Sequence, residues 1–468
     1  MWTFGKIPRL PFIIPLLSTS SIPDTVHLRK FRMATAAPSS TSTDSFDPVA
    51  AATVRLLTAL CEGYGGNFLV RFWTGQTWQP GSGPTSFTLV LKHPGAIRAM
   101  FWPFDNMGVG EAYIYDDYDI EGDIFAFTGL LKHLVKLRQS RSLGSRLRLL
   151  WALLKLPKQH NPRDITKAGR PVEGDHSRTN DRDAISFAYD LPGDFYALWL
   201  DKYMQYTCGY FLSPDESLEE AQERKVDFVC RKLRLKPGDK FVDFGCGWGG
   251  LVIHAAKHYG VQATGVTLAG EQAKWCERSI DAAGVRDRVK IVYTDYRDFK
   301  SSCEFDAASS VGMAEHIGHK NLPVFMSKVF ECLRPGGVYL HHGIHLRPHT
   351  PYPLWTAFAR KYVFPNGELH SVLAAQDAAA QAGFEIRDLE NFRESYVFTL
   401  ENWVKRLEAH HDTVVKLVGE VSYRVFRIYM AGATLGFKSG VYTLNQLLLS
   451  KPDDGSTHLP LTRADWYK

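Results

Sequence analysis

A carboxylate followed by alternating glycines is the first group of residues here with the types and spacing to do chemistry. Asp243, Gly245, Gly247 and Gly249 run through Phe241-Val242-Asp243-Phe244-Gly245-Cys246-Gly247-Trp248-Gly249-Gly250. The stretch reads as an apolar strand ending in an acid, a glycine turn, and a helix Leu251 to Tyr259 stopped by Gly260. Glycine lets backbone approach a ligand without a Cβ in the way, and the next helix offers unpaired N–H groups, so such a turn cradles a nucleotide. Further on, Gly312-Met313-Ala314-Glu315-His316-Ile317-Gly318 sets a carboxylate and an imidazole at the mouth of an apolar strand, and His341, His342 and His345 close a later one. Histidines with a glutamate raise metal binding. His341 and His342, however, alternate across a strand and face opposite sides, so no metal is expected.

The turn fits two templates. Gly245, Gly247 and Gly250 satisfy the dinucleotide pattern G-x-G-x-x-G, while Asp243, Gly245, Gly247 and Gly249 satisfy the acid-x-G-x-G-x-G pattern of adenosylmethionine-dependent methyltransferases. A dinucleotide site wants an acid at the end of the second strand to hold the ribose. The second strand, Val261 to Leu268, ends instead in Thr267 and Leu268, which weakens the dinucleotide reading without closing it.

Strands and helices must alternate to position these groups, and from Lys240 onward they do. Helix Gly270 to Ala283 ends at Gly284, and strands follow at Val289 to Thr294 and Phe305 to Gly312. Helix Leu322 to Leu333 stops at Arg334-Pro335-Gly336-Gly337, strand Val338 to Ile344 comes next, and helix His370 to Ala382 precedes strand Phe384 to Leu389. This rhythm predicts an α/β fold, a doubly wound Rossmann-like sheet with its ligand at the carboxyl ends of the strands. Upstream, a helix from about Pro48 to Glu62 and strands Asn67 to Phe72 and Ser86 to Leu91 predict a small α+β module. From Ile124 to Leu156, leucines recur among Lys132, Lys136, Arg138, Arg141, Arg146 and Arg148. These are a pair of amphipathic helices that either pack on the module or set a basic face on anionic phospholipid. The expected divisions are a flexible extension (1–46), the module (47–157), a polar linker (158–184), the nucleotide domain (185–450) and a tail (451–468).

With 468 residues the chain has room for two or three domains, and its net charge of +5 permits attraction to anionic membranes without demanding nucleic acid. No run approaches the roughly 18 apolar residues of a transmembrane helix, so any membrane contact is expected to be peripheral. Seven scattered cysteines with no C-x-x-C pair fit a reducing, cytoplasmic setting. The first 32 residues carry Lys6, Arg9, Arg29, Lys30 and Arg32 against one acid, Asp24, around an apolar block broken by Pro11 and Pro15. They read as an extension from an upstream start, Met33 being an ordinary one, or as an organellar targeting peptide.

Several segments together resemble one family. Tyr189-Asp190-Leu191-Pro192-Gly193-Asp194-Phe195-Tyr196, Met204 to Phe211, Phe244 to Leu251, Gly265 to Gln272, Asp295-Tyr296-Arg297-Asp298 and Gly312 to Gly318 are similar, in order and spacing, to the cyclopropane-fatty-acyl-phospholipid synthases, including the mycolic acid cyclopropane synthases. The resemblance covers residues 185–450 and extends more weakly to 50–150, which look like that family's sterol-carrier-like lipid module. It implies a class I methyltransferase domain that moves a methyl(ene) group from S-adenosylmethionine to a cis double bond in a phospholipid acyl chain at a membrane surface. A homodimer is a candidate assembly.

Position by position, the resemblance implies a cofactor site of Tyr206, Thr207, Val242, Asp243, Gly245, Cys246, Gly247, Gly249, Thr267, Leu268, Gln272, Tyr296 and Arg297. It also implies a bicarbonate ion as general base, held by Cys208, Glu315, His342, Ile344 and Tyr396. Aromatic faces such as Tyr210, Phe211 and Trp248 are candidates to stabilise a cationic stage. The chain departs from the family at Ala314, where a bulky aromatic is common and whose small side chain is expected to reshape the acyl pocket. It also lacks a cysteine in Tyr429-Met430-Ala431-Gly432-Ala433-Thr434, which argues against a cysteine mechanism, and His341 to His345 is unusually histidine-rich. These departures leave open a methyl-branched or methylene product, or a small-molecule acceptor.

Overall fold

Asp47 begins the described chain by capping a helix: its Oδ1 accepts from the Val49 and Ala50 N–H groups at 2.9 and 3.1 Å. With proline at the first helical position, this starts helix Pro48–Leu60. The computed structural model describes residues 47–467 apart from 103–105, 164, 166–168, 170–175 and 351–354, so the expected extension at 1–46 lies outside the described residues.

A four-stranded sheet follows, made of β1 (Leu69–Arg71), β2 (Thr77–Trp78), β3 (Phe87–Leu91) and β4 (Tyr118–Gly122) in the order β2-β1-β3-β4. Helices Ile124–Ser140 and Leu143–Leu154 complete the expected α+β module. The stretch Asn106–Tyr115, left unassigned in the sequence, is also a helix.

The second sheet has seven strands: β5 (Lys240–Phe244), β6 (Gln262–Thr267), β7 (Val289–Tyr293), β8 (Phe305–Val311), β9 (Leu333–Leu346), β10 (Glu385–Asn391) and β11 (Tyr442–Ser450). Their order is β10-β11-β9-β8-β5-β6-β7, and β5 to β9 run parallel while β11 pairs antiparallel with both β9 and β10. This is the doubly wound α/β sheet the alternation predicts. Chain order reverses at β5, between β8 and β6, which is where such a sheet leaves a crevice at its carboxyl edge.

Three elements differ from the sequence reading. The strand expected at Val338 begins at Leu333 and carries Arg334-Pro335-Gly336-Gly337 as its edge. The helix expected from His370 begins at Val372, capped by Ser371, because the His370 carbonyl accepts from Leu346 N–H at 2.9 Å and draws that residue towards β9. Helices Arg393–Ala409 and His411–Lys438 were unassigned; the second bends at Gly419, whose φ of 81° is left-handed.

The described residues fall in one compact unit. One hydrophobic core runs continuously from Val54 and Phe68 in the module to Trp199, Trp403 and Phe426, and a second lies between β5, β8 and β9 and the helices Leu322–Cys332 and Val372–Gln381. Two buried arginines of the long helix fasten the module to the sheet domain. Arg424 pairs with Asp116, Asp119 and Glu420, and Arg427 pairs with Glu408 and donates to Tyr113 Oη at 2.7 Å and the Ile120 carbonyl at 3.0 Å. Removing one partner of a buried pair strands the other. Arg427→Ala is therefore expected to lower unfolding free energy by about 3 kcal/mol, read as a fall in denaturant midpoint; an unchanged midpoint refutes the fastening role.

Candidate active site

Two adjoining cavities lie at the carboxyl edge of the seven-stranded sheet, and Tyr189, Tyr206, Thr207, Gly312 and His316 stand in the walls of both. The first is built on the glycine turn. Gly245, Gly247 and Gly249 have φ of 76°, 55° and 87°, which L side chains rarely adopt, and a Cβ on Gly250 would stand 2.2 Å from the Tyr203 carbonyl. The Val266 carbonyl ties the turn down by accepting from Gly245 and Cys246 N–H at 2.8 and 3.0 Å.

Segment 203–208 crosses over this turn, held from beneath. Asp201 accepts from Tyr203 and Gln205 N–H at 2.8 and 2.9 Å. Gln222 donates to the Thr207 carbonyl at 2.7 Å, and Lys225 Nζ donates to Thr207 Oγ1 at 2.9 Å and to Gln205. Helix Leu218–Lys232, started by a Ser217/Glu220 capping box, carries both donors. Burial drives the Lys225 ammonium down to about 8 and the Asp243 carboxyl up to about 7, and Asp243 accepts from Ser309 Oγ at 2.6 Å.

Eleven of the thirteen expected cofactor residues stand in this wall: Tyr206, Thr207, Asp243, Gly245, Cys246, Gly247, Thr267, Leu268, Gln272, Tyr296 and Arg297. The other two lie behind it. Val242 points into the second core, and Gly249 caps the following helix. Thr267 Oγ1 donates to Gln272 Oε1 at 3.0 Å, so a neutral polar pair occupies the position where a dinucleotide site has an acid. Arg297 is spent on carboxylates, pairing with Asp295 at 2.6 Å and Asp181 at 2.9 Å. Burial opposes ionisation of Asp295, but the Arg297 bonds outweigh it and hold the carboxyl below its ordinary range. Asp181 carried no sequence signal, because it comes from helix Arg178–Tyr189, inside the stretch read as linker.

The second cavity is aromatic, walled by Tyr189, Tyr206, Phe364, Tyr396, Trp403, Tyr429 and Phe437 around one carboxyl group, Glu315. Glu315 sits on the short helix Ala314–Ile317 after β8; its Oε1 accepts from Ile344 N–H at 2.6 Å, while Oε2 is buried with no partner. Burial pushes this carboxyl up to about 7. Tyr206 Oη is also buried without a partner, and burial holds His316, bonded to Tyr189 Oη at 2.9 Å, down at about 4.

Of the five expected base-holding residues, Glu315, Ile344 and Tyr396 line this cavity, and Cys208 and His342 stand behind its wall. Cys208 is fully buried, with Thr399 Oγ1 3.9 Å from its sulfur, and burial keeps it a thiol. His342 Nδ1 accepts from Gln446 Nε2 at 3.1 Å; burial, with Lys225 and Lys232 nearby, keeps the ring neutral.

Two expectations about the aromatic and small residues are corrected. Tyr210 stacks on Phe228 at 4.9 Å and Phe211 packs on Phe398 at 5.6 Å, so both are structural, and only Trp248 reaches a cavity wall. Ala314, expected to reshape the acyl pocket, does not line the aromatic cavity: it is buried against Gly343 of β9. The sequence reading missed Tyr189 and Tyr429 as wall residues, although both fall within quoted segments; their side chains reach the cavity only through the packing of helices Arg178–Tyr189 and His411–Lys438.

The raised Glu315 carboxyl makes stability depend on pH. Between about 4.5 and about 7 the folded protein keeps a proton that the unfolded chain releases, so this group's contribution falls as pH rises through that window. Glu315→Gln, which cannot ionise, is expected to gain on wild type by about 3 kcal/mol at about pH 8 and by little at about pH 4. Denaturant melts of both proteins at the two pH values check this, and a pH-independent difference refutes it.

The chain compares closely with known proteins over this region. The family model "Mycolic acid cyclopropane synthetase" matches residues 176–447. The "Probable fatty acid methyltransferase" of Pseudomonas putida is 35% identical over 406 residues, 85% of this chain and 96% of that protein. The cyclopropane-fatty-acyl-phospholipid synthase of Escherichia coli is 35% identical over 264 residues, 56% of this chain and 66% of that one. The crystal structure of mycolic acid cyclopropane synthase CmaA1 complexed with SAH and CTAB superposes with a TM-score of 0.55 at 29% identity, over 57% of this chain and 97% of that one. The cyclopropane synthase MmaA2 from Mycobacterium tuberculosis gives the same TM-score, identity and coverage. A family match over more than half of the chain, the glycine turn and the sheet order together mean that the chain belongs to the mycolic acid cyclopropane synthetase family of adenosylmethionine-dependent methyltransferases.

Proposed function

We propose that this enzyme methylates the cis double bond of an unsaturated acyl chain of a phospholipid and closes the product to a cyclopropane. The observation that carries the reading is the pair of adjoining cavities: a polar one on the glycine turn, and an aromatic one whose wall carries, among the described residues, one carboxyl group with an unpartnered oxygen. Bound in the first, adenosylmethionine supplies a sulfonium methyl electrophilic enough for an alkene held in a dry site. The turn, Thr207 and the Thr267–Gln272 pair present the backbone and neutral polar groups that suit it. Tyr206, Tyr396, Trp403 and Tyr429 exclude water from the second cavity and offer π faces to positive charge on the acyl chain.

The residues also fit a small anionic base. Glu315 carries a proton through much of the range up to neutral pH and has an unpartnered Oε2, so it and Tyr396 would hold a bicarbonate ion, which supplies a compact base for the proton lost on ring closure. Ile344 N–H is already given to Glu315, and Cys208 and His342 stand behind the wall, so these three serve by positioning Glu315 and its surroundings. A second reading, a methyl-branched chain formed from the same cation, is favoured by the Pseudomonas putida relative, matched over 96% of its length and named for fatty acid methylation.

The lipid is to be met at a membrane surface. Among the described residues no helix is long and apolar enough to cross a membrane. Helix Leu143–Leu154 instead exposes Leu143, Leu147 and Trp151, 72%, 55% and 64% accessible and four residues apart, flanked by exposed Arg146, Arg148 and Lys155. An apolar stripe bordered by cations suits an anionic phospholipid surface, on which the enzyme docks peripherally from the cytoplasm.

Expression in a bacterium lacking its own synthase, followed by mass spectrometry and proton NMR of its fatty acids, separates the products. Ring-bearing chains support the first reading, methyl-branched saturated chains the second, and unchanged lipids refute both. Glu315→Gln is expected to lower product formation roughly a hundredfold or more while cofactor binding by calorimetry is retained. Replacing Leu143, Leu147 and Trp151 together by serine is expected to weaken sedimentation with phosphatidylglycerol vesicles by roughly a hundredfold; undiminished sedimentation refutes the docking face.

A further inference from the structure

The face of β9 opposite His342 and Ile344 holds a cluster that the methyl-transfer chemistry does not use. Strand alternation puts His341, Gly343 and His345 on one side, and His370, drawn in by the Leu346 N–H bond to its carbonyl, meets them from the segment before helix Val372–Gln381. His345 lies 5.8 Å from His341 and 5.3 Å from His370, ring centre to ring centre. One ring nitrogen from each of the three imidazoles lies within 4.8 Å of the other two. The alternation that set metal binding aside in the sequence, by parting His341 from His342, is what joins His341 to His345.

These imidazoles are buried and their polar atoms are not spent. His341 and His345 are 0% exposed and His370 is 6% exposed. His341 Nε2 and both ring nitrogens of His345 and His370 lack a hydrogen-bond partner; the Gly343 backbone acts on His345 electrostatically without meeting hydrogen-bond geometry. A buried nitrogen left unpaired bears its full desolvation cost, so five in one cluster call for a common partner. His341 is also oriented from behind: Nδ1 lies 3.0 Å from Tyr339 Oη and 3.4 Å from Ser310 Oγ, and those hydroxyls lie 2.6 Å apart. With Nδ1–H donating to the hydroxyls, the Nε2 lone pair points into the cluster, as a ligating histidine requires.

The backbone leaves room between the rings. A Cβ on Gly343 would stand 3.5 Å from His341 Nε2, 3.5 Å from His345 Cε1 and 3.1 Å from the Ala314 Cβ, so a longer side chain there would enter the space the imidazoles share. This explains the small Ala314, which packs on the glycine.

We propose that His341, His345 and His370 form a three-imidazole site for a divalent transition metal ion, with zinc the best chemical match. Three imidazole nitrogens suit zinc or its neighbours and are poor ligands for magnesium or calcium. Tetrahedral ligation at about 2.1 Å sets nitrogens about 3.4 Å apart, so the rings draw together from the 4.8 Å within which their nitrogens lie. The ion ties β9 to the 367–371 segment, which supplies Gly367 and Leu369 to the aromatic cavity wall and whose Glu368 N–H donates to the Glu315 carbonyl at 2.9 Å. It is a structural site, independent of which acyl product is made.

The test uses the full chain, purified from zinc-supplemented cells, desalted and analysed by plasma mass spectrometry. About one zinc per chain is expected, with a fall in Tm after removal by 1,10-phenanthroline and recovery on adding zinc. Cobalt(II) added to the stripped protein should give the intense visible bands of a tetrahedral site, which need no variant to fold. His370→Gln should lower metal content at least tenfold, while the exposed His410→Gln leaves it unchanged. Metal below one-tenth per chain with no zinc-induced Tm shift overturns the proposal, as does a cobalt spectrum of hexaaqua type; an equal loss in both variants assigns the metal elsewhere and overturns it too.

Discussion

One hydrogen bond organises the reactive part of this enzyme: the Ile344 N–H given to Glu315 Oε1 at 2.6 Å. It joins the end of β9 to the turn after β8, and by satisfying one carboxyl oxygen it leaves the other free beside the aromatic cavity. Burial governs this group and pushes its carboxyl up to about 7. A permanently ionised carboxylate there would be costly among the aromatic faces. The aromatic wall and the raised pKa of Glu315 are two results of the same exclusion of water.

The neighbouring cavity is built on the opposite principle. Arg297 stands between Asp181 and Asp295, Thr267 pairs with Gln272, and Asp243 is held by Ser309. A cofactor there meets fixed dipoles and backbone rather than mobile charge, and the Thr207 side chain, tethered by buried Lys225, stands between it and the aromatic cavity. The polar and apolar halves share a wall because β5 lies where the sheet reverses its winding.

The two faces of β9 show how one strand serves separate purposes. His342 and Ile344 face the layer of helix Leu218–Lys232 and the catalytic wall, whereas His341 and His345 face the second core and the segment of His370. Gly343 and Ala314 make room on that side. The module, fastened by Arg424 and Arg427, presents its basic, apolar-striped helix away from these cores.

The glycine turn and the alternating strands and helices were legible from sequence, because they depend on local chemistry: which residues tolerate positive φ, and where apolar runs break; Gln272, Tyr296 and Arg297 of the cofactor wall came through resemblance. Glu315 was legible as a carboxylate at the mouth of an apolar strand, but its role, and Tyr396 altogether, came only through resemblance, since nothing local sets apart a phenol that becomes buried. Asp181, Tyr189, Tyr429 and the meeting of His370 with His341 and His345 were decided by tertiary structure. They come from segments far apart in the chain, and their roles arise from water excluded jointly by helices that the sequence pattern does not place against one another. The pattern determines which face of a strand a side chain takes; only packing decides what it meets there.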